Sequence, residues 1–233
     1  MIRNFEDFCR ELLNAGFSLG SGGNDEGVFT LIKFGWDELP PPDCKIRWHT
    51  GDADTDPWEW RMRVLEERND IAYGKVFFRK AGYITKEWYP YFLAARRENR
   101  SFDEMYGDGL ISNYAKRVYD VIREHGSLPI HIIKQLCGFA KEDKSRFDRA
   151  IVDLQMGLFI TMCGRQHKLS NFGIEYGWAS TMFCTVEHFW GSEVTAAAAE
   201  ISKEEAEEAI TGQIYKLNSN ADPKRVKAFI FGR

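Results

Sequence analysis

Apolar residues recur at helical spacing from the start of the chain. Phe5, Phe8, Cys9, Leu12 and Leu13 form one stripe behind Asn4, which is suited to cap a helix, and Gly16 predicts its end. "FSLGSGGNDEGVFTLIKF" then reads as two strands around a glycine-rich hairpin turn. That loop lacks GxGxxG and GxxxxGK spacing, and Asp25 and Glu26 would repel an anion, so it is a poor phosphate cradle. "DELPPPDC" breaks regular structure with three consecutive prolines. The β-branched and aromatic residues of "DIAYGKVFFRKAGYI" predict a strand. "TKEWYPYFLAARREN" predicts a helix capped by Thr85, with Pro90 in its first turns. The polar run from Glu98 to Gly109 marks a boundary.

Beyond it the periodicity is cleaner. Tyr114, Val118, Val121, Ile122 and His125 share a helical face that Gly126 closes. "LPIHIIKQLCG" starts with Pro129 at a favourable first position, buries Ile132, Ile133 and Leu136, and stops at Gly138. Ser145 and Asp148 hold capping-box positions for a third helix with Phe147, Ile151, Leu154 and Leu158 inward. "LFITMCGRQHKLSNFG" and "YGWASTMFCTV" then read as strand, turn and returning strand. Three short helices followed by a β-hairpin is the order of a winged helix-turn-helix. The C-terminal part is helical, with Ser202 and Glu205 as a second capping box and Asp222-Pro223 opening a last helix. The expected class is therefore α+β: an aromatic-rich α/β domain over 1–100, a winged helix-turn-helix over 101–190, and C-terminal helices over 191–233.

One stretch invites a chemical reading. In "GDADTDPWEWRMR" the spacing of Asp52, Asp54 and Asp56 matches the first three ligands of an EF-hand loop. Pro57 stands where that loop needs glycine, and Arg63 where it needs a bidentate glutamate, so no metal is expected. "WEWRMRVL" also alternates as a strand would, but cap chemistry favours a helix: Asp56 at the N-cap, Pro57 first, and Glu59 placed to reach back. Trp58, Met62 and Leu65 would share its face. Trp58, Trp60, Arg61 and Trp88 are candidates for a stacking surface or pocket, against the alternative that the indoles fill a core.

Composition narrows the function classes. The chain has 233 residues, 44% hydrophobic and 28% charged, which is ordinary for a soluble globular protein. With net charge −4, nucleic acid would have to be met by a local patch. The five cysteines, Cys9, Cys44, Cys137, Cys163 and Cys184, form no CxxC pair and suggest reduced thiols of a cytoplasmic protein. No apolar run approaches the ~18 residues of a membrane span. No GxSxG, HExxH or Walker loop occurs, the five histidines stand far apart, and no cofactor is implied.

"TDPWEWRMRVLEERNDIAYGKVFFRKAGYITKEWYPYFLAARR", together with "DLQMGLFITMCGR" and the later "YGW", resembles the AlkZ-related proteins over most of the chain. These are small relatives of the AlkZ/YcaQ winged-helix DNA glycosylases, which unhook crosslinked or alkylated bases. The resemblance implies a DNA-repair setting. The glycosylases position water with a Gln-x-Gln motif. Here Gln135, Gln155, Gln166 and Gln213 are nowhere two apart, so no catalytic residue carries over.

If the third helix enters a major groove, Ser145, Arg149, Val152 and Met156 face outward, with Arg146 and Asp153 at the sides. Lys144, Arg146 and Arg149 would meet phosphates, as would Arg165, His167 and Lys168 near the hairpin tip. From Lys141 to Gly157 four bases balance four acids, and the alternative is that the same face packs against the N-terminal domain or a second copy in a homodimer. Three readings stand: a nucleic-acid-binding repair protein without its own catalysis, a divergent DNA glycosylase, or a small-molecule-binding or protein-interaction module that uses the winged helix for packing. DNA is the expected partner of the first two.

Overall fold

In a computed structural model describing residues 2–22, 27–169 and 172–232, helix α1 (Phe5–Ala15) starts where the sequence places it. The Asn4 side chain accepts the Asp7 N–H at 2.9 Å. Gly16 ends the helix at φ 90, and a Cβ there would run into the Trp88 ring, so glycine meets two requirements at once. Leu13, expected in the stripe, is exposed. Asp7 is buried instead, held by Arg3 at 2.8 Å and Arg10 at 2.6 Å. Those two guanidinium hydrogen bonds hold its carboxyl well below the usual range.

Strand β1 (Phe17–Leu19) pairs antiparallel with β3 (Lys80–Thr85), which pairs with β2 (Ile71–Phe77) to give the order β1-β3-β2. The second strand expected after the glycine-rich loop is reduced to one parallel bridge, Leu19 to Thr30. The Ser18 hydroxyl takes the Leu31 N–H at 2.9 Å, so a side chain replaces the ladder there. The expected turn around Asp25 and Glu26 falls outside the described residues. The single strand expected over 70–84 is a hairpin, turned at Phe78 and Arg79 with φ 50 and 61. Neither turn residue is glycine, the residue such a turn favours.

Helix α2 (Pro57–Glu67) has Asp56 as N-cap and Pro57 first. Its buried residues are Pro57, Trp60, Met62, Val64 and Leu65; Trp58 faces out, contrary to the expected face. Helix α3 (Tyr89–Arg97) follows, with Pro90 in its first turn. Thr85 does not cap it, because Thr85 closes β3 and Trp88 holds the N-cap. The polar run read as a boundary contains helix α4 (Phe102–Gly107), fixed by a Ser101–Glu104 capping box and by Phe102 stacked 3.8 Å from Tyr119.

Helices α5 (Asn113–His125), α6 (Ile130–Leu136) and α7 (Lys144–Met156) precede a long hairpin of β5 (Ile160–Leu169) and β6 (Glu175–Thr185). A three-residue strand, β4 (Ser127–Pro129), joins them in the order β4-β6-β5. Pro129 is the N-cap of α6 rather than its first residue, and of the three residues expected to be buried only Ile133 is; Ile132 is partly covered and Leu136 exposed. Ser145 does not cap α7, because a 3-10 turn over Lys141–Asp143 leads into the helix two residues earlier, with Asp143 at the N-cap. Then come α8 (Val186–Trp190), α9 (Ser192–Ala199), α10 (Lys203–Leu217) with the Ser202–Glu205 box, and α11 (Pro223–Phe231) behind Asp222. The fold is thus mixed, with many helices and two small antiparallel sheets.

Two apolar clusters hold these elements. One joins α1, α2 and the first sheet to α5, α7 and the second sheet through Phe8, Trp60, Tyr83, Val118, Ile151 and Phe183. The other joins α3 to α10 and α11 through Phe17, Phe92, Ile210 and Phe229. Phe77 and Phe229 stack at 3.7 Å within it. Arg96 of α3 stitches the second cluster: its guanidinium donates to the carbonyls of Val76 (2.9 Å), Met156, Phe229 and Ile230 (each 2.8 Å). Burial pushes its pKa down to about 9, so it stays protonated at pH 7 and places a cation at the C-terminal ends of α7 and α11. Arg97 beside it donates to the Leu158 carbonyl and pairs with Glu187 at 2.7 Å.

Candidate functional site

Helix α7 is divided along its length. Its N-terminal half is open: Lys144, Ser145, Arg146, Asp148 and Arg149 are all exposed. Its C-terminal half packs on the first sheet, where the Gln155 amide oxygen accepts the Lys75 N–H at 2.9 Å. Met156, expected outward, is buried, and Arg79 pairs with Asp153 at 2.6 Å. The partner that turns these residues inward is β2, more than seventy positions away, which helical periodicity does not encode. A cleft lined by Tyr114, Ser145, Arg146, Arg149 and Asp153 runs along the open half.

Of the six basic residues singled out, two are already engaged. Arg146 lies 3.2 Å from Asp143 and donates to the Tyr114 hydroxyl at 2.8 Å. Arg165 reaches Glu66 at 2.9 Å and Glu59 at 3.5 Å, tying the hairpin to α2. Glu59 therefore faces the hairpin instead of reaching back to the helix start. Lys144, Arg149, His167 and Lys168 make no ion pair among the described residues. Lys168 sits near His131, whose Nδ1 lies 2.9 Å from the Ser180 hydroxyl. Burial first, and the Lys168 ammonium second, push that imidazole below its usual value. Beyond these residues β6 exposes Trp178 (93%) and Tyr176 (54%). The alternation of the strand gave no separate signal for them.

The four stacking candidates part company. Trp60 is fully buried against Phe8, with its indole N–H on the Asp54 carbonyl at 3.2 Å. Trp88 packs edge-on to Phe17 in the second cluster. Trp58 and Arg61 stay together at the surface, with the guanidinium carbon 3.4 Å from the Trp58 ring centroid. They line a cleft with Trp36, Trp48, His49 and Tyr73. Trp36 and Trp48 carried no helical or strand pattern and were missed for that reason.

The three aspartates build this wall. Asp56 is fully buried, and its carboxylate accepts the N–H groups of His49 (3.1 Å), Thr50 (2.8 Å), Gly51 (2.9 Å) and Trp58 (2.8 Å). Asp52 accepts the Asp54 N–H at 2.8 Å, and the Asp54 backbone carbonyl takes the Phe5 N–H at 3.0 Å. These groups shape the loop and cap α2. Among the described residues no group of three or more His, Cys, Asp or Glu side chains is placed to hold a metal ion. Gln155 and Gln213, two of the four glutamines, are spent on backbone groups, the latter donating to the Ala15 carbonyl at 2.8 Å.

No helix among the described residues is long and apolar enough to cross a membrane. Comparison with known proteins gives one positive result. A family model described as AlkZ related matches residues 2–231. No curated protein and no solved structure matches the chain. With nearly the whole sequence covered by that model, the chain belongs to the AlkZ-related family.

Proposed function

We propose that this chain is a nucleic-acid-binding winged-helix protein of DNA repair that lacks the Gln-x-Gln catalysis of the glycosylases. The observation carrying the reading is the order of residues 113–185: α5, β4, α6 and α7, then a long hairpin, with β4 added to the hairpin's edge. In such a module the N-terminal end of the third helix meets the groove, and α7 leaves that end open. Lys144 and Arg149 supply its charge, with His167 and Lys168 on the hairpin. Arg146 and Arg165 are secondary contributors, since binding phosphate would cost them existing partners. The nucleic-acid face then belongs to the unit over 101–190, between the aromatic-rich unit over 1–100 and the helices over 191–233.

Fluorescence anisotropy with plain and alkylated duplex DNA, across a salt series, tests this. Binding that weakens steeply with salt is the expected result, since phosphate contacts release counterions. No binding at low salt overturns it. A packing role draws support from one observation, the burial of the C-terminal half of α7 on β2. It accounts for that half alone, because no described residue covers the exposed N-terminal half.

A further inference from the structure

The cleft beside Trp58 is lined by no described residue of α7 or of the hairpin. Arg165 holds the hairpin to Glu59 and Glu66, whereas Trp58 and Arg61 occupy another flank of α2. Its volume is about 220 Å³. That is below the ~300–1,000 Å³ of pockets for drug-sized ligands, so it suits one ring system.

Its chemistry is selective. Trp36 is 69% exposed and Trp58 43% exposed, an unusual placement for two indoles. His49 stands between them, 6.2 Å from Trp36 and 4.8 Å from Trp58 by ring centroids. It adopts φ 59, a left-handed backbone uncommon outside glycine, fixed by the Asp56 carboxylate on its N–H. The Trp48 indole Nε1 is buried and has no partner among the described residues. A buried donor of that kind calls for an acceptor. Arg61 forms no ion pair among the described residues and lies beside the Tyr73 hydroxyl. Among the described residues no carboxylate lines the cleft. An aromatic cage for an ammonium group would not place a guanidinium in its wall, so the charge selects an anion.

We propose that this cleft binds a nucleotide, with one base against the indoles, a base acceptor on Trp48 Nε1 and the phosphate at Arg61. Among the described residues the lining holds no glutamine and no free carboxylate to activate water, and the Asp56 carboxylate beneath it is engaged by four N–H groups. The same chemistry is offered by a free nucleotide and by the terminal nucleotide of a single strand.

The test is tryptophan fluorescence of the full chain titrated with AMP, adenosine, inorganic phosphate and a 5′-phosphorylated oligodeoxyadenylate. Saturable quenching by AMP, tighter than by adenosine or phosphate, is expected. Arg61→Gln should weaken AMP about tenfold and leave adenosine unchanged, and Trp36→Ala should weaken both. Absence of saturable quenching by AMP overturns the proposal, as does equal affinity for AMP and adenosine or indifference to both variants. Tighter binding of the oligonucleotide assigns the site to a strand end, and tighter binding of AMP assigns it to a free nucleotide. Duplex binding by Arg61→Gln, followed by anisotropy, should keep its salt slope, so failure at this cleft is distinguishable from failure at α7.

Discussion

Gln155 of α7 accepts the backbone N–H of Lys75 at 2.9 Å, joining positions eighty apart in sequence. Its own amide donates to the Ile151 carbonyl at 3.0 Å, so both ends of a buried side chain are satisfied. Gln155→Leu keeps the volume and strands the Lys75 N–H. The expected loss is about 1–3 kcal/mol, read from urea unfolding. A stability within error of wild type would show that the sheet does not need this bond.

Arg96 satisfies four carbonyls from three elements with one planar group. Lysine carries the charge but cannot reproduce the fork. Arg96→Lys and Arg96→Met should both lower stability by about 2–4 kcal/mol, since each leaves several carbonyls unpaired. Full stability of the lysine variant would mean that charge alone matters there.

Two neighbouring tryptophans should answer mutation differently. Trp60→Ala opens a cavity in the first core and should cost about 3–5 kcal/mol. Trp58→Ala removes a half-exposed ring and should cost less than about 1 kcal/mol. Thermal melts of the pair separate the indole that builds the fold from the one that lines the cleft.

Asp7 supplies a pH signature. Its folded pKa lies below the unfolded value of 3.8 because the Arg3 and Arg10 hydrogen bonds favour the carboxylate. The sign is that of a depressed acid: stability is fully present above the unfolded value and drains away as pH falls towards the folded one. The melting-temperature gap between wild type and Asp7→Asn should therefore be flat from about pH 5 to 7 and narrow below about pH 4. A gap that keeps its size into acid would remove the ion pairs as its cause.

Charge neutralisation should sort the basic residues. Arg149→Gln and Lys168→Gln, which make no ion pair among the described residues, should each reduce the salt slope of DNA binding by about one. Arg146→Gln and Arg165→Gln should change it less, because their charges are already met by Asp143 and by Glu59 and Glu66. Equal effects from all four would show that the pairs open on binding.

What was legible in the sequence is what is decided locally. Asn4, Asp56, Ser202 and Asp222 cap helices through bonds spanning two or three residues, and each stands where the sequence places it. Strand β4 escaped because three residues carry no period; its pairing with Met182 to Cys184 creates it. The segment after the glycine-rich loop has a strand's composition but finds only one bridge among the described residues. The inward turn of Gln155 and Met156 is imposed by β2, and a helical wheel has no knowledge of that neighbour. At the cleft, Trp58 and Arg61 were visible as a pair. Trp36 and Trp48 meet it beside His49, in the loop at 49–51 that Asp56 gathers.

The Arg96 clamp also sets an order of events during synthesis. Two of its four acceptors, Phe229 and Ile230, leave the ribosome more than 130 residues after the arginine itself. Until then α3 presents a cation and the face of Phe92, and β2 the face of Phe77, with no Phe229 to cover them. The nascent chain thus carries part of its second core uncovered, an interval in which a chaperone has a surface to hold and a truncated product a reason to aggregate.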